Sequence, residues 1–166
     1  MKPGPFDPLR VLETLARHGV RYVVIGGFAG RLWGSTTVTN DLDVCYARDR
    51  KNLESLSRAL RELHATVRGA PEDLPVPPDP ETLASGDPFK FATTAGNFGC
   101  LATAAGSQGY SDLIAGAAEM TIGSLRVPVA AVEDLIRSKR AAGRPTDRAE
   151  LEILSALKEE IERSSP

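Results

Sequence analysis

No apolar run in this sequence approaches the roughly 20 residues that a helix needs to cross a bilayer, which argues against a membrane span. The N-terminal stretch MKPGPFDP has no apolar core of the signal-peptide kind, so a cytoplasmic location is expected. Cysteine is scarce. Cys45 and Cys100 lie far apart and form no CxxC pair, so two buried free thiols in a reducing cytosol are expected rather than a disulfide scaffold. His18 and His64 have no neighbour at ligand spacing, which argues against zinc and leaves them as surface or helix-capping residues. A net charge of −2 provides no global basic field, so any RNA contact would need a local basic patch. Repeats, heptads and low-complexity tracts are missing as well. With 42% hydrophobic and 25% charged residues, the composition is that of a soluble globular protein. A mass of 17.7 kDa suffices for one domain over 1–166, with a core over 20–130 and C-terminal helices over 131–163.

The stretch from Tyr22 to Tyr46 is the most informative. Tyr22 to Ile25 reads as a short buried strand that opens at Gly26-Gly27 into a helix over Phe28 to Trp33. A polar loop follows, and a second strand begins near Asn40. Residues two apart on a strand share a face, so Asp41 and Asp43 project together while Leu42 and Val44 face an apolar layer. Two adjacent carboxylates repel unless a cation sits between them, and Mg²⁺ prefers such oxygen sites and shares them with substrate phosphates. The glycine turn supplies the complementary half, because free backbone N–H groups and the helix dipole favour an anion. Gly26 and Gly27 are therefore candidates for seating a triphosphate, and Asp41 and Asp43 for holding Mg²⁺, as one ion or two. Thr39 joins them as a nucleotide-binding candidate, two residues before Asp41. The alternative is a turn followed by a half-exposed strand with solvated acids.

The rest of the chain reads as framework. A helix is expected over Phe6 to Val20, N-capped by Asp7, with Pro8 in its first position and an apolar stripe of Leu9, Leu12, Leu15 and Ala16. Asp49 caps a helix running to about His64, with Leu53, Leu56, Leu60 and Leu63 at helical spacing. Gly69 to Pro88 reads mostly as loop. A hairpin follows, with Phe89 to Ala95 and Cys100 to Ala104 joined by a turn at Gly96-Asn97-Phe98-Gly99. A second hairpin over Met120 to Ala130 turns at Gly123-Ser124. Val132 to Ala142 is a helix stopped by Gly143, and Pro145 to about Arg163 is another, with a stripe of Leu151, Leu154, Leu157 and Ile161. The expected class is α/β (α+β), a small mixed sheet with helices packed against it and a C-terminal helical pair.

Ile25-Gly26-Gly27, thirteen residues, then Asp41-Leu42-Asp43-Val44 resembles the signature of the nucleotidyltransferase superfamily. The resemblance implies the nucleotidyltransferase fold, an NTP substrate and Mg²⁺. It also implies a third carboxylate on a later strand; the matching position is Ala102, within Leu101-Ala102-Thr103. Asp112 is nearest to it but looks like a helix N-terminal residue. The segment from Val132 to Leu151 further resembles the abortive-infection and toxin (AbiEii/MenT-like) type, with Lys139 and Asp147 matching a Lys and an Asp across a short interhelical turn.

That narrower resemblance implies catalytic roles for Asp41, Asp43, Lys139 and Asp147, with Lys139 on the phosphates. A lysine there would stabilise pyrophosphate as it leaves, and Asp147 would either hold that lysine or orient the attacking hydroxyl. By spacing alone, Lys139 and Asp147 read as a weak surface ion pair, and it is the resemblance that points to catalysis. The same resemblance implies a toxin that adds nucleotides to the 3′ end of tRNA and has a cognate antitoxin partner. Arg137, Arg140 and Arg144 are then possible RNA contacts, although taken alone, with Lys139 and Arg148, they read as the solvated face of a helix pair. Three rivals remain. They are transfer to a protein or a small molecule such as an aminoglycoside, a degenerate nucleotide-binding module without turnover, and a purely structural domain.

Overall fold

A computed structural model describes residues 2–71 and 78–164. Helix α1, Pro8–Arg17, begins where Asp7 accepts a hydrogen bond from the Arg10 N–H at 3.2 Å. Its buried stripe is Val11, Leu12, Thr14 and Leu15; Ala16 is exposed, because the packed face is rotated toward Val11. Strand β1, Tyr22–Ile25, is buried throughout and passes directly into helix α2, Gly26–Trp33, so the helix starts at the glycine pair rather than at Phe28. Strand β2 is Asp41–Tyr46. Helix α3, Arg50–Glu62, is capped by Asp49, which accepts from the Asn52 N–H at 3.2 Å.

The stretch expected as loop, Gly69 to Pro88, carries one short helix that polar composition concealed, and a two-residue strand stands just before it. Strand β3 is Thr66–Val67, and helix α4 is Pro80–Ser85. Asp79 accepts from the Thr82 N–H at 2.8 Å and Pro80 opens the helix, a capping pair that marks a start even in a Pro-rich stretch. The middle of that stretch, 72–77, lies outside the described residues. Leu83 is fully buried, and the hydroxyl of fully buried Tyr46 points to its carbonyl at 3.5 Å. Leu83→Ala should therefore lower unfolding free energy by about 2–5 kcal/mol, the range for a buried leucine truncation. Urea unfolding checks this, and a loss under about 1 kcal/mol would mean that α4 contributes little to the core.

The remaining strands are β4, Phe89–Thr93, β5, Gly96–Leu101, β6, Ala118–Ile122, and β7, Leu125–Val129. The first hairpin turns earlier than its glycines suggest. Thr93 pairs with Gly96, leaving Thr94-Ala95 as the turn, and Thr93 Oγ1 closes it by donating to the Gly96 carbonyl at 2.7 Å. Asn97, Phe98 and Gly99 are thus strand residues. Helix α5, Tyr110–Gly116, has Asp112 in its first turn, and helix α6, Val132–Ala142, ends at Gly143. A 3-10 turn, Pro145–Asp147, leads into helix α7, Arg148–Ser164. Of the expected stripe on α7 only Leu154 is deeply buried, and it is joined by Glu150; Ile161 is exposed near the free end of the helix.

Among the described residues the strands form one mixed sheet in the order β3-β4-β5-β2-β1-β7-β6. β2 lies between antiparallel β1 and parallel β5, so its carboxylates stand mid-sheet. The Trp33 indole donates to the Ala130 carbonyl at 2.8 Å, fastening the end of α2 to the chain that enters α6. The C-terminal pair α6 and α7 packs together beside α2, over the sheet's carboxylate-bearing face. No helix among the described residues is long and apolar enough to cross a membrane.

Candidate active site

Ile25 pairs with Asp43 across the β1–β2 ladder, so the glycine turn and the second carboxylate are neighbours by register. Gly26 has φ +72°, a conformation costly for any residue with a Cβ, and an added Cβ would stand 3.0 Å from Asp43 Oδ2. A Cβ at Gly27 would stand 3.3 Å from Thr39 Oγ1. The glycine pair thus lies directly against Asp43 and Thr39. Ile25, at the N-cap of α2, makes no side-chain hydrogen bond to the first turn, so the helix presents N–H groups that no cap side chain satisfies. Thr39 bridges Asp41 locally. Its hydroxyl lies 3.2 Å from the Asp41 carbonyl and 3.4 Å from the Asp41 N–H.

A cleft of about 340 Å³ at this edge is lined by Gly26, Asp43, Lys90 and Leu101 together with Ser138 and Lys139 of α6, Arg144, and Glu150 and Leu154 of α7. Among the expected site residues, Asp41, Gly27, Thr39 and Asp147 lie outside its lining, while Gly26, Asp43, Lys139 and Arg144 share it. Arg137 and Arg140 do not. Arg137 pairs with Asp112 at 2.9 Å and Asp134 at 3.1 Å, and Arg140 lines a separate groove with Glu133, Glu159 and Glu162. The basic stretch is thus divided between two sides of α6, its charges interleaved with acids.

Asp147 is buried and carries two cations, accepting from Lys139 Nζ at 3.2 Å and from Arg144 Nε at 2.9 Å. Both of its carboxylate oxygens are engaged by these two cations. Burial alone would raise its pKa, but the hydrogen bonds from Arg144 and Lys139 outweigh burial and hold it below the ordinary carboxylate value. A depressed pKa contributes stability that is present above the unfolded value, about 3.9, and lost as pH falls through the folded one. Asp147→Asn should thus be less stable than the unaltered chain at neutral pH, with the gap closing below about pH 4. Urea midpoints across that range check it, and a gap that persists in acid contradicts the ion-pair account.

Two site residues escaped sequence reasoning. The rings of Phe89 and Phe91 stack at 5.8 Å, and alternation sends Lys90 to the opposite face, where its ammonium lies 3.1 Å from Asp43 Oδ1. Its one sequence signal is a lysine between two strand aromatics. Glu150 is buried and accepts from Ser35 Oγ at 3.1 Å and from the Thr37 hydroxyl, tying the loop before Asp41 to α7. Its signal is a carboxylate on the same helical face as Leu154.

The expected third-carboxylate position is also corrected. Ala102 lies beyond the end of β5, buried, its N–H donating to Asp87 Oδ1 at 2.8 Å, and it borders a different cavity with Tyr46 and Arg48. Ladder partners share a face, so the β5 residues beside the carboxylates are Asn97, opposite Asp41, and Gly99, opposite Asp43. Neither is acidic.

Two solved structures superpose along most of the chain. One is a candidate nucleotidyltransferase from Thermotoga maritima, with TM-score 0.57 and 16% identity, covering 96% of this chain and 97% of that one. The other is the antibiotic-resistance factor ANT(2'')-Ia, with TM-score 0.58 and 17% identity, covering 93% of this chain and 82% of that one. This chain has the nucleotidyltransferase fold. No family model matches the sequence, and no curated protein resembles it at a significant level.

The donor set is consistent with the hard divalent ion that this fold implies. Among the described residues no three His, Cys, Asp or Glu side chains gather into a self-sufficient metal cage. Mg²⁺ does not need one, since it is commonly bound by one or two carboxylates together with substrate phosphates. Asp41 and Asp43 would supply such a pair, with Asp43 directly against the glycine turn. Asn97 Oδ1, on the strand next to Asp41, is buried and has no hydrogen-bond donor among the described residues, so a further oxygen lies beside the pair without a partner.

Proposed function

We propose that this protein transfers a nucleoside monophosphate from an NTP to an acceptor hydroxyl. The observation that carries this reading is the shared cleft, which Asp43, the uncapped glycine start of α2 and Lys139 all line. The N–H groups of the α2 first turn seat the polyphosphate, and Gly26 keeps Asp43 within reach of it. Asp41 and Asp43 would hold Mg²⁺, which when bound supplies Lewis-acid polarisation of the α-phosphoryl group. The acceptor oxygen forms a bond to the α-phosphorus, the bond to the bridging oxygen breaks, and pyrophosphate leaves as the hydroxyl proton is lost to a neighbouring base or water. Lys139, oriented by Asp147, neutralises charge developing on the leaving group.

The acceptor we favour is the 3′ end of tRNA, as the toxin resemblance of Lys139 and Asp147 implies, with blocked translation as the outcome and an antitoxin as partner. A small hydroxylated acceptor is the second reading. It is favoured by the pairing of Arg137 with acids and by the acidic neighbours of Arg140, which leave α6 without a continuous cationic track for a phosphate backbone. Incubation with each α-labelled NTP, Mg²⁺, and either total tRNA or an aminoglycoside panel separates the two, with Asp41→Ala as control. Label on tRNA that vanishes in the control supports the first reading, and label on an aminoglycoside supports the second. Absence of transfer to any acceptor, protein included, together with no rise in melting temperature on adding Mg²⁺ and NTP, would leave a structural domain.

A further inference from the structure

No motif points to Lys90, yet three features of the fold direct it at the candidate metal carboxylates. The stacked Phe89 and Phe91 fix β4 so that Lys90 rises on the carboxylate face. Lys90, Gly99 and Asp43 form one row across the sheet, since Gly99 pairs with Lys90 on one side and with Asp43 on the other. Gly99 clears the path between them. A Cβ there would overlap Asp43 Oδ1 and stand 2.9 Å from Lys90 Nζ. The ammonium, though about half exposed, turns back to Asp43 at 3.1 Å rather than out to solvent.

We propose that Lys90 is a resident counter-cation that competes with a divalent ion for Asp43, so that the ion loads together with the nucleotide and not ahead of it. The inference rests on the nucleotidyl-transfer reading above. Asp41, Asp43 and Lys90 together carry one net negative charge. A divalent ion arriving alone finds one carboxylate oxygen already taken and a like charge a few ångströms away. An NTP brings several negative charges, which offset both cations at once. Lys139 does not take this role, because Asp147 already holds its charge. Lys90 is thus a positioning residue for Asp43, and its removal changes metal affinity before any turnover occurs.

The test counts Mn²⁺ bound to the full chain by electron paramagnetic resonance, with and without an α,β-methylene triphosphate analogue. In the unaltered chain the analogue should tighten Mn²⁺ binding at least about tenfold. Lys90→Met should bind Mn²⁺ alone about tenfold more tightly than the unaltered chain, and the gain from the analogue should shrink by a similar factor. Lys90→Arg, which keeps the charge, should retain the original affinities. If Lys90→Met binds Mn²⁺ no more tightly, while the unaltered chain still binds it with the analogue, the counter-cation role is overturned and the transfer reading stands. A fall in urea midpoint with unchanged Mn²⁺ affinity would overturn it too, leaving a structural ion pair. If the unaltered chain binds no Mn²⁺ even with the analogue, both readings fall.

Discussion

Asp43→Ala is expected to reduce nucleotide transfer by about a thousandfold or more while leaving the fold intact, on the scale of losing a principal electrostatic group at a phosphoryl site. The side chain is 21% exposed and its partner Lys90 is 47% exposed, so the ion pair contributes only about 0–1 kcal/mol to stability. The expected loss is therefore in activity rather than in stability. Asp41 is left as the lone carboxylate on that face of β2, and Lys90 becomes an uncompensated cation in the cleft. Single-turnover label transfer, paired with urea unfolding, measures both effects. Activity within tenfold of the unaltered chain would place the chemistry elsewhere in the molecule.

Gly99→Ala should be nearly as damaging, although glycine to alanine in a strand ordinarily improves local propensity. The new methyl group would occupy the space of Asp43 Oδ1 and crowd Lys90 Nζ, so the carboxylate must leave the position that the β2–β5 register gives it. Transfer should fall about a hundredfold, and stability by about 1–3 kcal/mol, as overpacking in a tight site does. A double-mutant cycle isolates the cause. In an Asp43→Ala background the obstructing side chain is gone, and Gly99→Ala should then cost little stability. An equal cost in both backgrounds would mean that β5 backbone strain, and not Asp43, explains the loss.

Both substitutions depend on positions of unequal legibility. Asp43 was readable because strand alternation around Leu42 and Val44 is a local pattern, and it survives in the observed β2. Gly99 was not. Its glycine-rich surroundings read as a turn, whereas the chain reverses earlier, at Thr94-Ala95, where Thr93 closes the hairpin through its hydroxyl. That three-residue displacement of the turn moved Asn97 and Gly99 into the sheet, and with them the expectation of where a third carboxylate belongs. The short helix α4 was missed for a related reason. It buries only Leu83 deeply, too few apolar residues for a periodic signal, although Asp79-Pro80 marked its start.

The local features were the sequence's own to determine: β1 opening at Gly26-Gly27, the shared face of Asp41 and Asp43, the helix stop at Gly143, and the spacing that lets Lys139 meet Asp147. Each depends on backbone periods, caps and turns within a few residues. The tertiary structure decided the rest. It brought Lys139 and Arg144 into one cleft with Asp43, paired Arg137 with Asp112 and Asp134 outside that cleft, set Glu150 against the loop of Ser35 and Thr37, and aimed Lys90 over Gly99. These contacts join residues as much as 115 positions apart, as between Ser35 and Glu150. Strand order and helix packing set such pairs, and no local period carries them.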